Sequence, residues 1–246
     1  MYKIFYLLLL TILYSGQVLA QESKPVKITA TSWLVADENG KVIQGENVSE
    51  QRSIASITKL MTAIIVLDAN QDLNERIGKF SRYELLQLML IKSDNHAADL
   101  LCQHYPMGRA NCINAMNMKA QEIGLHNTRY ADPSGLNIMN ISTAEDLIQL
   151  VIVASRYKVI NDASNTAQGK AVAQTKKTKQ SISFNNTNPL VATKEFIVSK
   201  TGYIRAAGGC IVMMLDTHLG KRIVVLLNSK NTYTRIPEAK FLAFNM

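Results

Sequence analysis

Ala55-Ser56-Ile57-Thr58-Lys59-Leu60-Met61-Thr62-Ala63 is the stretch on which the reading of this chain turns. Leu60, Met61, Ile64, Ile65 and Leu67 recur at helical spacing, so a helix is predicted over residues 56–69. Ser56 and Lys59 share one face of that helix, which brings a hydroxyl and an amine within hydrogen-bonding reach. A serine becomes a nucleophile once a neighbour takes its proton. A lysine can take it when burial or a second cation lowers its pKa. The helix start also leaves backbone N–H groups free beside Ser56, suited to a developing oxyanion. Alone, Ser-x-x-Lys is a weak signal, because it arises by chance on many surface helices.

Working outward, residues 28–36 are rich in β-branched and aromatic side chains and read as a strand. Asp37-Glu38-Asn39-Gly40 is a turn, and residues 41–44 return as a second strand. Helices are predicted over residues 83–91, 97–101, 112–123 and 143–155, the last opening on a capping start at Thr143. Residues 158–188 are polar and lack a helical period, so extended segments and loops are expected there. Strands follow at 196–204, 210–216 and 222–228, joined by glycine-bearing hairpins, and a short helix at 236–244 closes the chain. Two strands, a helical block, three antiparallel strands and a helix make an α+β domain. No linker or repeat divides residues 21–246.

Two further elements carry polar chemistry. Ser93-Asp94-Asn95 directly follows a predicted helix, where a hydroxyl could shuttle a proton and an amide could hold a substrate amide. Lys200-Thr201-Gly202 lies inside a predicted strand, and a glycine there suggests close approach by a ligand. Each separately fits a bland reading: an ordinary polar turn, a solvent-facing lysine. Their order and structural context do not. Ser-x-x-Lys opening a helix, Ser-x-Asn after a helix and Lys-Thr-Gly on a late strand resemble the signature of penicillin-binding proteins and class A β-lactamases. The nucleophile stretch, Asp132-Pro133-Ser134-Gly135-Leu136 and Ser142-Thr143-Ala144-Glu145-Asp146-Leu147 resemble stretches of the D-alanyl-D-alanine carboxypeptidases. Lys200-Thr201-Gly202-Tyr203-Ile204 with Gly209-Cys210 is similar to the endopeptidase branch of that low-molecular-mass family.

The resemblance implies a β-lactamase/transpeptidase-like fold: a five-stranded antiparallel sheet with helices on both faces, plus an all-helical region. It implies a serine DD-peptidase acting on peptidoglycan peptide stems, with β-lactams as covalent inhibitors and no metal or cofactor. Ser56 would be acylated, Lys59 would accept its proton, and Ser93 would relay a proton to the leaving amine. Asn95, Lys200, Thr201 and Gly202 would bind substrate, with Lys200 also holding Lys59 neutral by like-charge repulsion. The backbone N–H groups of Ser56 and Tyr203 would form the oxyanion hole. The Lys59-to-Ser93 connection looks shorter than in typical relatives, which puts a wall of the cleft in question.

Residues 1–20 combine one basic residue, Lys3, an apolar run at 4–13 and Val18-Leu19-Ala20, the pattern of a cleaved secretory signal. A secreted, periplasmic protein with no stable membrane anchor after cleavage is expected, the chain stopping short of the C-terminal amphipathic helix of many carboxypeptidase relatives. The net charge of +8 would suit nucleic acid or an anionic polymer. The cations are mostly scattered, apart from Lys176, Lys177 and Lys179, without basic-aromatic alternation, so no nucleic-acid partner is expected. Of three cysteines, Cys102 and Cys112 are open between pairing and simple burial, and Cys210 reads as a buried hydrophobe. Two alternatives remain. A class A β-lactamase would need a glutamate to activate the deacylating water; the nearest, Glu122, reads as a solvated helix-end charge. A catalytically silent peptidoglycan-binding protein is the other, although every motif position is filled. His96 stands beside the second motif but reads as a structural histidine.

Overall fold

The computed structural model describes residues 26–246, so the expected signal segment at 1–20 lies outside the described residues. Strands β1 (Ser32–Ala36) and β2 (Val42–Glu46) form the first hairpin, closed by Asp37, whose carboxylate accepts from the Asn39 and Lys41 N–H groups. The short β3 (Arg52–Ser53) and a 3-10 turn over Ala55–Ile57 lead into α1 (Thr58–Asp68). Residues 58–66 of α1 are all buried, so this helix is enclosed rather than amphipathic.

Two-residue strands β4 (Arg76–Ile77) and β5 (Phe80–Ser81) precede α2 (Arg82–Ile91). That helix opens on a reciprocal cap: Ser81 Oγ accepts from the Glu84 N–H while the Glu84 carboxylate accepts from the Ser81 N–H. Helix α3 (Asn95–Gln103) starts at Asp94, whose side chain caps the Ala97 N–H, and α4 (Gly108–Glu122) follows. A Cys102–Cys112 disulfide joins these two helices, and Cys210 is left as a buried thiol. Strand β6 (Ile141–Ser142) pairs with β3. Helix α5 (Ala144–Ala154) begins where the capping start placed it, with Thr143 Oγ1 accepting from the Asp146 N–H.

Residues 158–188 depart from expectation in part. A helix, α6 (Lys158–Asn165), opens the segment, followed by the hairpin of β7 (Gln168–Gln174) and β8 (Lys179–Asn185). Only Ile160, Ala163 and Ser164 of α6 are buried, and eight residues are too few for a period to stand out. The last strands are β9 (Val198–Ile204), β10 (Gly208–Thr217) and β11 (Gly220–Ser229), with α7 (Arg235–Asn245) closing the chain.

The five-stranded sheet runs β2-β1-β11-β10-β9, antiparallel throughout. Both faces are covered, which explains its near-continuous apolar strands. Leu34, Val212, Val225 and Leu227 face α5 and the helical block, whereas Trp33, Ile211, Met213 and Leu226 face α7. The expected α+β class, five-stranded sheet and separate helical region are all present. Truncating Leu242, fully buried on the sheet-facing side of α7, to alanine is expected to cost about 3 kcal/mol by lost transfer and cavity formation. Chemical denaturation would measure this as a lowered midpoint.

Candidate active site

Ser56 occupies the 3-10 turn ahead of α1 rather than the helix itself. Ala55 before it adopts a left-handed conformation, φ 46°, which tips the serine out of the buried helix axis. Strand pairing between β3 and β6, and a hydrogen bond from the Ile54 N–H to the Asn140 carbonyl at 3.0 Å, hold this turn against residues 131–142. Gly135, at φ 84°, is pressed so close that a β-carbon would stand 1.9 Å from the Ala55 carbonyl oxygen. Only glycine fits there.

Lys59, one turn along, is completely buried. Its Nζ lies 2.8 Å from Ser56 Oγ and donates to Asn95 Oδ1 at 2.7 Å and to the Ser134 carbonyl at 2.5 Å. Burial drives its pKa from 10.5 down to about 7, against the upward pull of Asp132, Asp94 and Asp99. Of the two expected causes, burial is the larger for Lys59, while the repulsion between the two lysines falls on Lys200. The two carbonyl-type oxygens can only accept. In the neutral amine both N–H bonds point to them, and the lone pair is left facing the Ser56 hydroxyl.

Ser93 and Asn95 come to the same place from the α2–α3 junction. Ser93 is also left-handed, φ 62°, and Asn95 is the first residue of α3. From the sheet edge, β9 brings Lys200 beneath the cleft. Its Nζ donates to Ser93 Oγ at 2.9 Å and to the Thr201 carbonyl at 2.9 Å. Burial, with Lys59 and Arg235 nearby, holds this amine well below the usual lysine range. The cleft of about 230 Å³ is lined by Ser56, Ser93, Asn95, Thr201, Tyr203 and Arg235 among others. Gly202 packs against the nucleophile turn, where a β-carbon would stand 3.0 Å from the Ser56 nitrogen. All eight residues singled out in the three motifs and at Tyr203 thus gather at one locus, although Lys200 and Lys59 form its base rather than its exposed lining.

Several contributors carried no role in the motif reading. Asp132 is the anchor of the loop that supplies the Ser134 carbonyl. Burial raises its pKa, but the N–H groups of Asn137, Gly135 and Ser134 and the Ser134 hydroxyl outweigh that, and the carboxyl is held below its ordinary value. Asn140 Oδ1 ties the same loop by accepting from the Ala131 N–H at 3.0 Å. The turn-forming Asp-Pro-Ser-Gly run was the available signal. Arg235, at the start of α7, donates to the Gly202 carbonyl at 2.6 Å and has no local sequence cue. Thr201 Oγ1 donates to Thr187 Oγ1 at 2.6 Å. Glu122 pairs with Lys119 at 2.9 Å at the end of α4 and does not line the cleft. His96 is exposed and lines a different groove.

The family described as D-alanyl-D-alanine carboxypeptidase matches residues 18–77 and 73–231. The chain is 36% identical over 236 residues to a D-alanyl-D-alanine endopeptidase of Pseudomonas aeruginosa, covering 87% of this chain and 76% of the relative. Identity to the D-alanyl-D-alanine endopeptidase of Escherichia coli is 34% over 242 residues, with 89% and 77% covered. Among solved structures, a variant of the Streptomyces K15 DD-transpeptidase superposes with a TM-score of 0.81 at 25% identity, covering 89% of this chain and 97% of the other. An ampicillin-bound penicillin-binding protein of Listeria monocytogenes shares the fold, with a TM-score of 0.77 at 24% identity and 89% and 98% covered.

Gly135→Ala combines a left-handed backbone with a backbone collision, and is expected to cost about 3 kcal/mol. Gly78→Ala, at φ 62° with nothing within 4 Å, carries the conformational penalty alone and is expected to cost about 1 kcal/mol. Paired denaturation curves would show the difference.

Proposed function

This chain belongs to the D-alanyl-D-alanine carboxypeptidase family, and on that premise we propose how its residues perform a DD-endopeptidase reaction in the periplasm. The chain is a serine DD-peptidase acting on peptidoglycan. The observation that carries the reading is a buried amine, near neutrality by its surroundings, 2.8 Å from the Ser56 hydroxyl.

In the proposed acylation, Ser56 Oγ attacks a D-alanyl carbonyl carbon as its proton passes to Lys59 Nζ. A C–O bond forms, and the carbonyl oxygen becomes an oxyanion held by the Ser56 and Tyr203 N–H groups. The C–N bond then breaks, with the leaving amine taking a proton by way of Ser93. Water attacks the resulting ester, Lys59 accepts its proton, and the acid product leaves as Ser56 regains its hydrogen. Strand β9 is the edge of the sheet, so an extended peptide stem can align along Lys200, Thr201 and Gly202, with the Asn95 amide beside it. The endopeptidase assignment is supported by the relatives above 30% identity, all named endopeptidases, whereas the carboxypeptidases stand at 24–26%. Periplasmic residence is supported by the signal pattern of residues 1–20 and by the disulfide. No helix among the described residues is long and apolar enough to cross a membrane.

Fluorescent penicillin is expected to label the protein covalently and to leave Ser56→Ala unlabelled. Equal labelling of both, or none of either, would remove the acyl-enzyme mechanism. Because Lys59 must be neutral to accept a proton, the second-order labelling rate is expected to rise with pH through about 7 and then level off. A rate flat from pH 5 to 9 would refute Lys59 as the base. Cross-linked dimeric muropeptides are expected to be cut faster than monomeric pentapeptides are trimmed. The reverse preference would make the enzyme a carboxypeptidase.

A further inference from the structure

On the other side of the Ser93-Asp94-Asn95 loop lies a second and larger groove, of about 560 Å³. Ser93 and Asn95 line the catalytic cleft, whereas Lys92, Asp94 and His96 line this groove, so one loop separates the two. Phe80, Leu85, Leu88 and Ile182 make its surface mainly apolar, and Lys79 and Lys92 stand on its rim. The Lys79 carbonyl accepts from the Gln174 N–H at 2.8 Å, which joins the β4–β5 turn to the end of β7. The adjoining β7–β8 turn exposes Lys176 and Lys177, and Lys179 opens β8. Lys92 is paired with Asp94 at 3.7 Å. Among the described residues, Lys79, Lys176, Lys177 and Lys179 make no ion pair.

We propose that this groove and its lysine rim form a second peptidoglycan site, which holds a non-reacting, carboxylate-bearing peptide stem while a neighbouring stem is cut at Ser56. The inference rests on the peptidase reading above. Uncut stems present free carboxylates to the unpaired ammonium groups and alanyl methyl groups to the apolar floor. A polymer with closely spaced stems can engage both sites at once, and tethering through the groove raises the local concentration of the next bond at Ser56.

The test compares two full-length triple variants that remove equal charge: Lys79→Gln/Lys176→Gln/Lys177→Gln at the rim, and Lys41→Gln/Lys230→Gln/Lys240→Gln elsewhere. Each is made with and without Ser56→Ala. In the Ser56→Ala background, affinity for purified sacculi at low salt is expected to fall about tenfold for the rim variant and less than threefold for the control. Ile182→Asn, on the groove surface, is expected to weaken sacculus binding likewise. Blocking the sacculus carboxylates by amidation is expected to bring the unmodified rim down to the level of the rim variant. With Ser56 present, every variant is expected to take up fluorescent penicillin at the parental rate. Equal loss in both triples, no loss in the rim variant, or unchanged binding to amidated sacculi would each overturn the proposal. So would rim-dependent binding to anionic phospholipid vesicles that matches binding to sacculi, which would assign the groove to a membrane surface. Failure of the parent to label with penicillin would instead overturn the peptidase mechanism on which the inference stands.

Discussion

A primary amine enclosed in the interior, with no carboxylate at ion-pair distance among the described residues, is the constraint on which the site depends. A buried ammonium without a counter-ion is strongly disfavoured, so the chain must either expel Lys59 or let it lose its proton. Expulsion is closed off because α1 is surrounded on all sides. The amine therefore resides among neutral acceptors, and the reactive form of the base is also the form that its burial favours.

That solution works only if the acceptors cannot drift. The Ser134 carbonyl is held by a loop whose backbone N–H groups converge on Asp132, and the Asn95 carbonyl by the first turn of α3. Helix α3 is in turn tied to α4 through Cys102–Cys112, near the end of α3 opposite Asn95. Left-handed Ala55 and Ser93 are local costs carried at the site and supported by this packing. Had Asp132 been placed against Lys59 directly, a salt bridge would have stabilised the ammonium and removed the base. Instead the carboxylate turns its oxygens to backbone donors, and only its longer-range field reaches the amine.

The parts legible in the sequence were those set by short spacing. Ser56 and Lys59 are neighbours by helix geometry alone. The strands at β9, β10 and β11 were readable as long apolar runs between glycine hairpins, and the Thr143 cap followed from local pattern. Three things were not readable. Helix α6 buries too few residues for a period to show. The pairing of Cys102 with Cys112 depends on how two helices pack, which spacing does not determine. Arg235 reaches Gly202 across 33 positions through the sheet, a tertiary contact without a local signature. The balance of causes behind the low Lys59 pKa was open for a related reason: the sequence offers both burial and a second lysine, but only coordinates show Lys59 deep enough for desolvation to dominate.

The same depth decides which cationic side chain lines the cleft. Lys200 is as enclosed as Lys59, and burial, with Lys59 and Arg235 nearby, holds its pKa well below the usual lysine range. Its Nζ donates to Ser93 Oγ at 2.9 Å from beneath the cleft and does not line it. Arg235 differs. Burial lowers its pKa too, yet a guanidinium starts so high that it retains its charge at any pH of interest, and it lines the cleft directly. Of these three groups, the one that lines the cleft comes from α7, an element outside all three motifs, while the two motif lysines lie beneath it. All three groups are buried, and what separates them is intrinsic basicity: a guanidinium starts high enough to keep its charge in surroundings that lower both amines.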